Sequence, residues 1–165
     1  MHYGDREGRT RPALADTLGF ENPRFSPDGR RIAVSVEGFN KKAIWIFDRG
    51  SGILSRLGEE EAETTRDRPE WSPDGKRVLY RRNALAGNFL MTRSADGSDG
   101  EARIPSPQVA VNELVMHPDG KAVLGGAAAG AASSQDIWWW VLPDTVPHSF
   151  TQSPEFETGA RFSPD

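Results

Sequence analysis

The sequence predicts an all-β chain, a β-propeller of four-stranded antiparallel blades present as an incomplete arc of about 3.6 blades. Three observations carry that expectation. A tetrapeptide recurs as Ser26-Pro27-Asp28-Gly29, Ser72-Pro73-Asp74-Gly75, His117-Pro118-Asp119-Gly120 and a closing Ser163-Pro164-Asp165, at intervals of 46, 45 and 46 residues. The segments AIWIF (43–47), RVLY (77–80) and DIWWWVL (136–142) are apolar at consecutive positions, a pattern that needs burial on both faces of a strand. With 17 Gly and 12 Pro among 165 residues, few stretches are free to run as long helices.

Taken in chain order, residues 1–20 are expected to supply the outer strands of a preceding blade. Whole blades follow at 21–66, 67–111 and 112–157, and 158–165 opens a further, truncated one. A large apolar residue stands just before each tetrapeptide (Phe25, Trp71, Met116, Phe162), and the second strand starts three residues after each Gly, at Ile32, Val78 and Val123. A third strand opens at Ile44, Leu90 and Ile137, and the stretches 44–57 and 137–150 align without a gap. On that strand Trp45, Phe47, Trp138 and Trp140 are expected to face one neighbouring blade, and Ile44, Ile46, Ile137 and Trp139 the other. Gly125 and Gly126 are expected to weaken the second strand of the third blade, and residues 127–135 to form a loose loop.

The tetrapeptide is turn chemistry. Proline (Pro27, Pro73, Pro118) fixes φ near −65°, Asp (Asp28, Asp74, Asp119) bonds nearby backbone, and Gly (Gly29, Gly75, Gly120) supplies the left-handed residue that returns the chain to the ladder. A side chain at the Gly position would cost about 1–2 kcal/mol. Ser at the first position can accept a local N–H, a role that His117 fills less well.

Composition and motifs exclude several chemistries. No cysteine is present, which removes disulfides, thiolate metal sites and cysteine nucleophiles, and the net charge of −4 comes without a basic stripe for nucleic acid. No apolar run approaches the roughly 18–20 residues of a membrane span, and residues 1–20 do not read as a signal peptide. Around Ser98 the sequence Asp96-Gly97-Ser98-Asp99-Gly100 lacks the first glycine of a nucleophile elbow, and kinase motifs are missing. His2, His117 and His148 are too far apart for a sequence-readable metal site. Asp96, Ser98 and Glu101 superficially suit calcium, but the segment reads better as a hairpin turn. The acidic residues Glu59, Glu60, Glu61 and Glu63 read as a solvated connection between blades. No cofactor, no metal and no catalytic residue is expected.

The phrases NPRFSPDGRRIAVSV (22–36), RPEWSPDGKRVLYRR (68–82), DIWWWVLPD (136–144) and GARFSPD (159–165) resemble the WD-repeat-like propeller repeats of the TolB type. Such repeats occur in the Tol-Pal periplasmic component, in the propellers of prolyl-oligopeptidase-class peptidases and C-terminal to many bacterial membrane-anchored serine/threonine kinases. The opening HYGDREGRTRPAL (2–14) is similar to what precedes the first repeat in the kinase-attached group. The resemblance implies a non-catalytic interaction or sensor module in a larger bacterial protein, on the extracytoplasmic or periplasmic side of a membrane. Peptidase gating and a Tol-Pal-like scaffold are the alternatives.

Residues just before each innermost strand should lie at one mouth of the propeller channel. By repeat position these are Glu21 and Asn22, Asp67 and Arg68, Asn112 and Glu113, and Thr158 and Gly159. Asn22, Arg68 and Asn112 are the expected binding shelf, for a protein, peptide or glycan reached through the loops. Self-association through open blade edges is expected as well.

Overall fold

The computed structural model describes residues 2–4, 7–12, 18–38, 41–58, 64–106, 110–128, 135–144 and 146–163. Its described residues form strands and connections only. A short hairpin joins β1 (His2–Gly4) to β2 (Thr10–Pro12). The first blade contains β3 (Gly19–Phe25), β4 (Arg31–Gly38), β5 (Lys41–Asp48) and β6 (Leu54–Arg56). The second contains β7 (Thr65–Trp71), β8 (Arg77–Ala84), β9 (Gly87–Ser94) and β10 (Ala102–Arg103). The third contains β11 (Ala110–Met116), β12 (Ala122–Ala128), β13 (Gln135–Val141) and β14 (His148–Ser149). Each blade is an antiparallel meander in sequence order, and β7 packs against β3 on one side and β11 on the other. The innermost strands therefore converge, and the three sheets make an incomplete β-propeller.

Burial on both faces follows from the alternation of side chains along each strand. Val78 and Tyr80 of β8 enter the layer between the first and second blades with Ile44, Ile46 and Trp71. Leu79, between them in sequence, enters the next layer with Leu90, Ile104, Val123 and Trp140. Trp138 packs against that second layer from the same strand face as Trp140. Trp139, on the other face of β13, is 36% exposed and stacks on His148 with ring centroids 4.6 Å apart.

At the turns, Gly29, Gly75 and Gly120 adopt φ of 68°, 67° and 73°, and their N–H groups each donate to the carbonyl of the first tetrapeptide residue at 2.8 Å. The Ser26 hydroxyl donates to Asp28 at 2.6 Å and accepts the Arg31 N–H at 2.9 Å; Ser72 repeats both bonds with Asp74 and Arg77. His117 places its Nδ1 2.8 Å from the Asp119 carboxylate and 3.2 Å from the Asp119 N–H, so the one nitrogen stands between a group it can donate to and a group it can accept from, where the serine hydroxyl does both.

One expectation for the third blade needs correction, the extent of its loop. Gly125 and Gly126 lie inside a fully paired β12, and residues 127, 128 and 135 belong to strands rather than to a loose loop; 129–134 lie outside the described residues. The glycines permit close approach. A Cβ on Gly125 would stand 2.8 Å from the Glu113 carbonyl oxygen, and one on Gly126 would collide with the Gln135 amide.

Candidate functional site

Each inner strand carries a bulge near its start, between Glu21 and Arg24, between Asp67 and Glu70, and between Val111 and Glu113. In the first two, the bulged residue is left-handed without being glycine: Asn22 has φ 52° and Arg68 φ 53°. Asn visits this region readily, but Arg does so at a cost of about 1–2 kcal/mol. Proline follows both residues, as Pro23 and Pro69. Leu114 takes that place in the third blade, where the irregularity is shorter and Glu113 is not left-handed. Gly159, one further repeat along, has φ 75°.

The Arg68 conformation is held by its neighbours. Its N–H donates to the hydroxyl of Ser35, a fully buried residue of the first blade, at 3.2 Å. Its guanidinium meets Glu113 of the third blade at 3.2 Å, and the other Glu113 oxygen accepts the Gly159 N–H at 2.9 Å. Arg68 thus ties three successive blades together at the inner rim. The left-handed conformation recurs at this repeat position in Asn22, Arg68 and Gly159, and at Arg68 the bonds to Ser35 and Glu113 hold it in place.

Of the three shelf residues expected from the sequence, Asn22 and Arg68 line one small polar recess with Arg24, Pro69, Glu113 and Arg161. Asn112 sits in the network behind it. It accepts from Arg81 at 3.1 Å and donates to Gln135 at 2.9 Å, while Arg81 grips Asp67 with bonds of 2.9 and 2.7 Å. The residue that meets Arg68 is Glu113, 45 positions along, so the missed member was legible as the closer repeat partner. Arg161 and Arg24 carried no such signal.

Arg24 pairs with Glu70 at 3.3 Å. Burial raises the Glu70 carboxyl above the usual carboxylate range, opposed by the Trp71 N–H and by Arg24. Three guanidinium groups against Glu113 and this partly desolvated carboxylate leave the recess with an excess of donors and positive charge. Guanidinium groups in such an arrangement are chemically suited to carboxylate or carbonyl oxygens.

The remaining candidates that are described are engaged in turn bonds and ion pairs. Asp96 accepts the Ser98 N–H at 2.9 Å, as a turn residue does. Glu101 faces Arg66 at 2.5 Å and the Tyr80 hydroxyl at 2.8 Å, and Asp99 accepts from Ser94 N–H at 2.7 Å and Arg77 at 2.8 Å. Among the described residues, no group of three or more His, Asp or Glu could hold a metal ion, and no helix is long and apolar enough to cross a membrane. Glu59, Glu60, Glu61 and Glu63 lie outside the described residues.

Blades of one repeated pattern with a charged inner rim define a β-propeller whose rim is its candidate binding surface. No protein-family model matches the chain. It is 29% identical over 113 residues to the "uncharacterized peptidase YuxL" of Bacillus subtilis, a match covering 62% of this chain and 16% of that protein. It is 28% identical over 95 residues to the Tol-Pal system protein TolB of Hydrogenovibrio crunogenus, covering 52% of this chain and 21% of that one. TolB from Acinetobacter baumannii superposes with a TM-score of 0.75 at 19% identity, over 92% of this chain and 37% of that structure. The fold is that of a TolB-like β-propeller. The chain spans about a fifth or less of the curated relatives it matches.

Proposed function

We propose that this chain is a non-catalytic propeller segment acting as a protein or ligand interaction or sensor module within a larger bacterial protein, such as a membrane-anchored serine/threonine kinase. The observation that carries this reading is the strained Arg68, locked between Ser35 and Glu113 where three blades meet beside Asn22. Energy held there in a surface residue is better accounted for by recognition than by folding. The likeness to TolB proteins supports an interaction role, and the resemblance of the repeats is what favours the extracytoplasmic side of a membrane. The preferred ligand group is a carboxylate or a run of backbone carbonyls from a protein or peptide, given the three arginines around the recess.

The test uses the full-length protein carrying Asn22→Ala, Arg68→Ala and Asn112→Ala together. Capture of native partners from the source cell is expected to fail while the variant stays folded, with a melting temperature lowered by loss of the Asn112 bonds to Arg81 and Gln135. Undiminished capture by a folded triple variant refutes the rim as the binding surface.

A second reading is favoured by the similarity to YuxL: the segment belongs to the gating propeller of a prolyl-oligopeptidase-class enzyme. Labelling of the full-length protein by a fluorophosphonate, together with cleavage of a proline-containing fluorogenic peptide, would establish this reading over the first.

A further inference from the structure

Charges around the inner rim are matched pair by pair, with one exception. Two residues beyond the repeat position of Arg68 stand Arg24, Glu70, Val115 and Arg161, at intervals of 46, 45 and 46 residues. Across the first junction Arg24 meets one Glu70 oxygen at 3.3 Å, and the Trp71 N–H donates to the other at 3.2 Å. Arg161 has the apolar Val115 as its repeat neighbour. Among the described residues it pairs with no carboxylate, and its guanidinium donates to the Ala160 carbonyl at 2.7 Å. Its field reaches Glu70, whose oxygens are already engaged. The other charges nearby are matched as well: Lys42 by Glu21 at 2.8 Å, Arg81 by Asp67 at 2.7 Å and Arg68 by Glu113 at 3.2 Å. Arg161 is the positive charge left over.

A second polar group is unengaged. Asn22 lines the same recess, and its carboxamide has no hydrogen-bond partner among the described residues. The recess draws on all four inner repeats, with Asn22 and Arg24 from the first, Arg68 from the second, Glu113 from the third and Arg161 from the last. Its volume is about 30 Å³, where a single water needs about 10–15 Å³. That space suits a group the size of a carboxylate and is too small for an aromatic ring. One leftover positive charge also matches a singly charged group better than a phosphate monoester, which carries about two charges at neutral pH.

We propose that the recess takes a single carboxylate, received by the Arg161 guanidinium and the Asn22 carboxamide, while Arg24 and Arg68 stay with their own carboxylate partners. The inference rests on the inner-rim reading and narrows it, because it makes the ligand anionic and Arg161 the residue that selects it. A neutral carbonyl would leave the Arg161 charge unanswered, whereas a carboxylate forms the stronger, charge-assisted bond. A chain end and an acidic side chain present the same two oxygens, so both are sources of the group.

The experiment uses the full-length protein and isothermal titration calorimetry at low ionic strength with acetyl-tetraglycine bearing a free C-terminal carboxylate, its C-terminal amide, and acetyl-Gly-Gly-Asp-Gly-amide. At least one of the two acids is expected to bind about tenfold or more tightly than the neutral amide. Which acid does so tells chain end from side chain. Arg161→Gln, which keeps donors and removes the charge, should erase that preference, and Arg161→Lys should retain part of it. Arg161 is exposed, so neither substitution disturbs the core. Equal binding of acids and amide, binding of none of the three, or a preference that survives Arg161→Gln would overturn the proposal. Partner capture separates this from the broader reading. Capture lost in the Asn22, Arg68 and Asn112 triple variant, alongside equal binding of acids and amide, keeps the rim and overturns the carboxylate; undiminished capture in that variant overturns both.

Discussion

Replacing Trp71 by methionine transplants the third blade's residue into the second and tests whether the junctions obey one packing logic. Three losses combine. Methionine keeps a flexible apolar chain in the site, so lost burial and packing cost about 1–2 kcal/mol, well short of truncation to alanine. The indole N–H to the Arg24 carbonyl contributes about 1 kcal/mol. The Arg31 guanidinium over the ring adds about 0.5–1 kcal/mol at a partly exposed site. The expected total is about 2.5–4 kcal/mol, read as a lowered urea midpoint at unchanged slope by far- and near-ultraviolet circular dichroism. A double-mutant cycle with Arg31→Ala should return a coupling of about 0.5–1 kcal/mol. Met116→Leu, which conserves volume, should cost less than about 1.5 kcal/mol. A Trp71→Met cost below about 1 kcal/mol, or one with no coupling to Arg31, would refute the view that this pair seals the junction.

Other outcomes follow from the same geometry. Gly125→Ala should destabilise by about 1–3 kcal/mol through collision with the Glu113 carbonyl, and by more than Gly126→Ala, whose clash is with a side-chain amide that can move; urea unfolding of both variants checks the order. Arg68→Gly should leave stability within about 1 kcal/mol of the parent, because relief of the left-handed strain offsets loss of the exposed Glu113 pair, yet it should abolish rim binding. Asp99 has its carboxyl lowered to about 2, first by the Ser94 N–H and then by Arg77. A depressed folded-state value stabilises above the unfolded pKa and is lost as pH falls through the folded one. Asp99→Asn should therefore lower the melting temperature at pH 5 and above, with the difference from the parent closing between about pH 4 and pH 2.

The blades were legible because their signals are local or periodic. A proline that fixes φ followed by a left-handed glycine specifies the turn at Ser26-Pro27-Asp28-Gly29 wherever it occurs. Strands such as RVLY, with Val78 and Tyr80 buried on one side and Leu79 on the other, announce two neighbours. The rim was legible only in part. Asn22 and Arg68 share a recess, but Asn112 stands behind it and Glu113 takes the place facing Arg68. The cause is the repeat register: Glu113, 45 residues after Arg68, stands at the position of Asn22 and Arg68, whereas Asn112 stands at that of Glu21 and Asp67. The place of Gly125 and Gly126 also depends on their neighbours. Glycine in a strand looks weak until the atoms pressing on it, here from Glu113 and Gln135, are known.

By itself the sequence determined the repeat, its turns and the double-faced strands, since each depends on residues a few positions apart and recurs every 45 or 46 residues. Tertiary structure decided what the inner rim and the junctions do. Whether Arg68 meets Glu113, and whether an arginine caps a tryptophan or withdraws to Asp99, depends on side chains from different blades and loops. Only packing brings those groups within the few ångströms over which hydrogen bonds and ion pairs act.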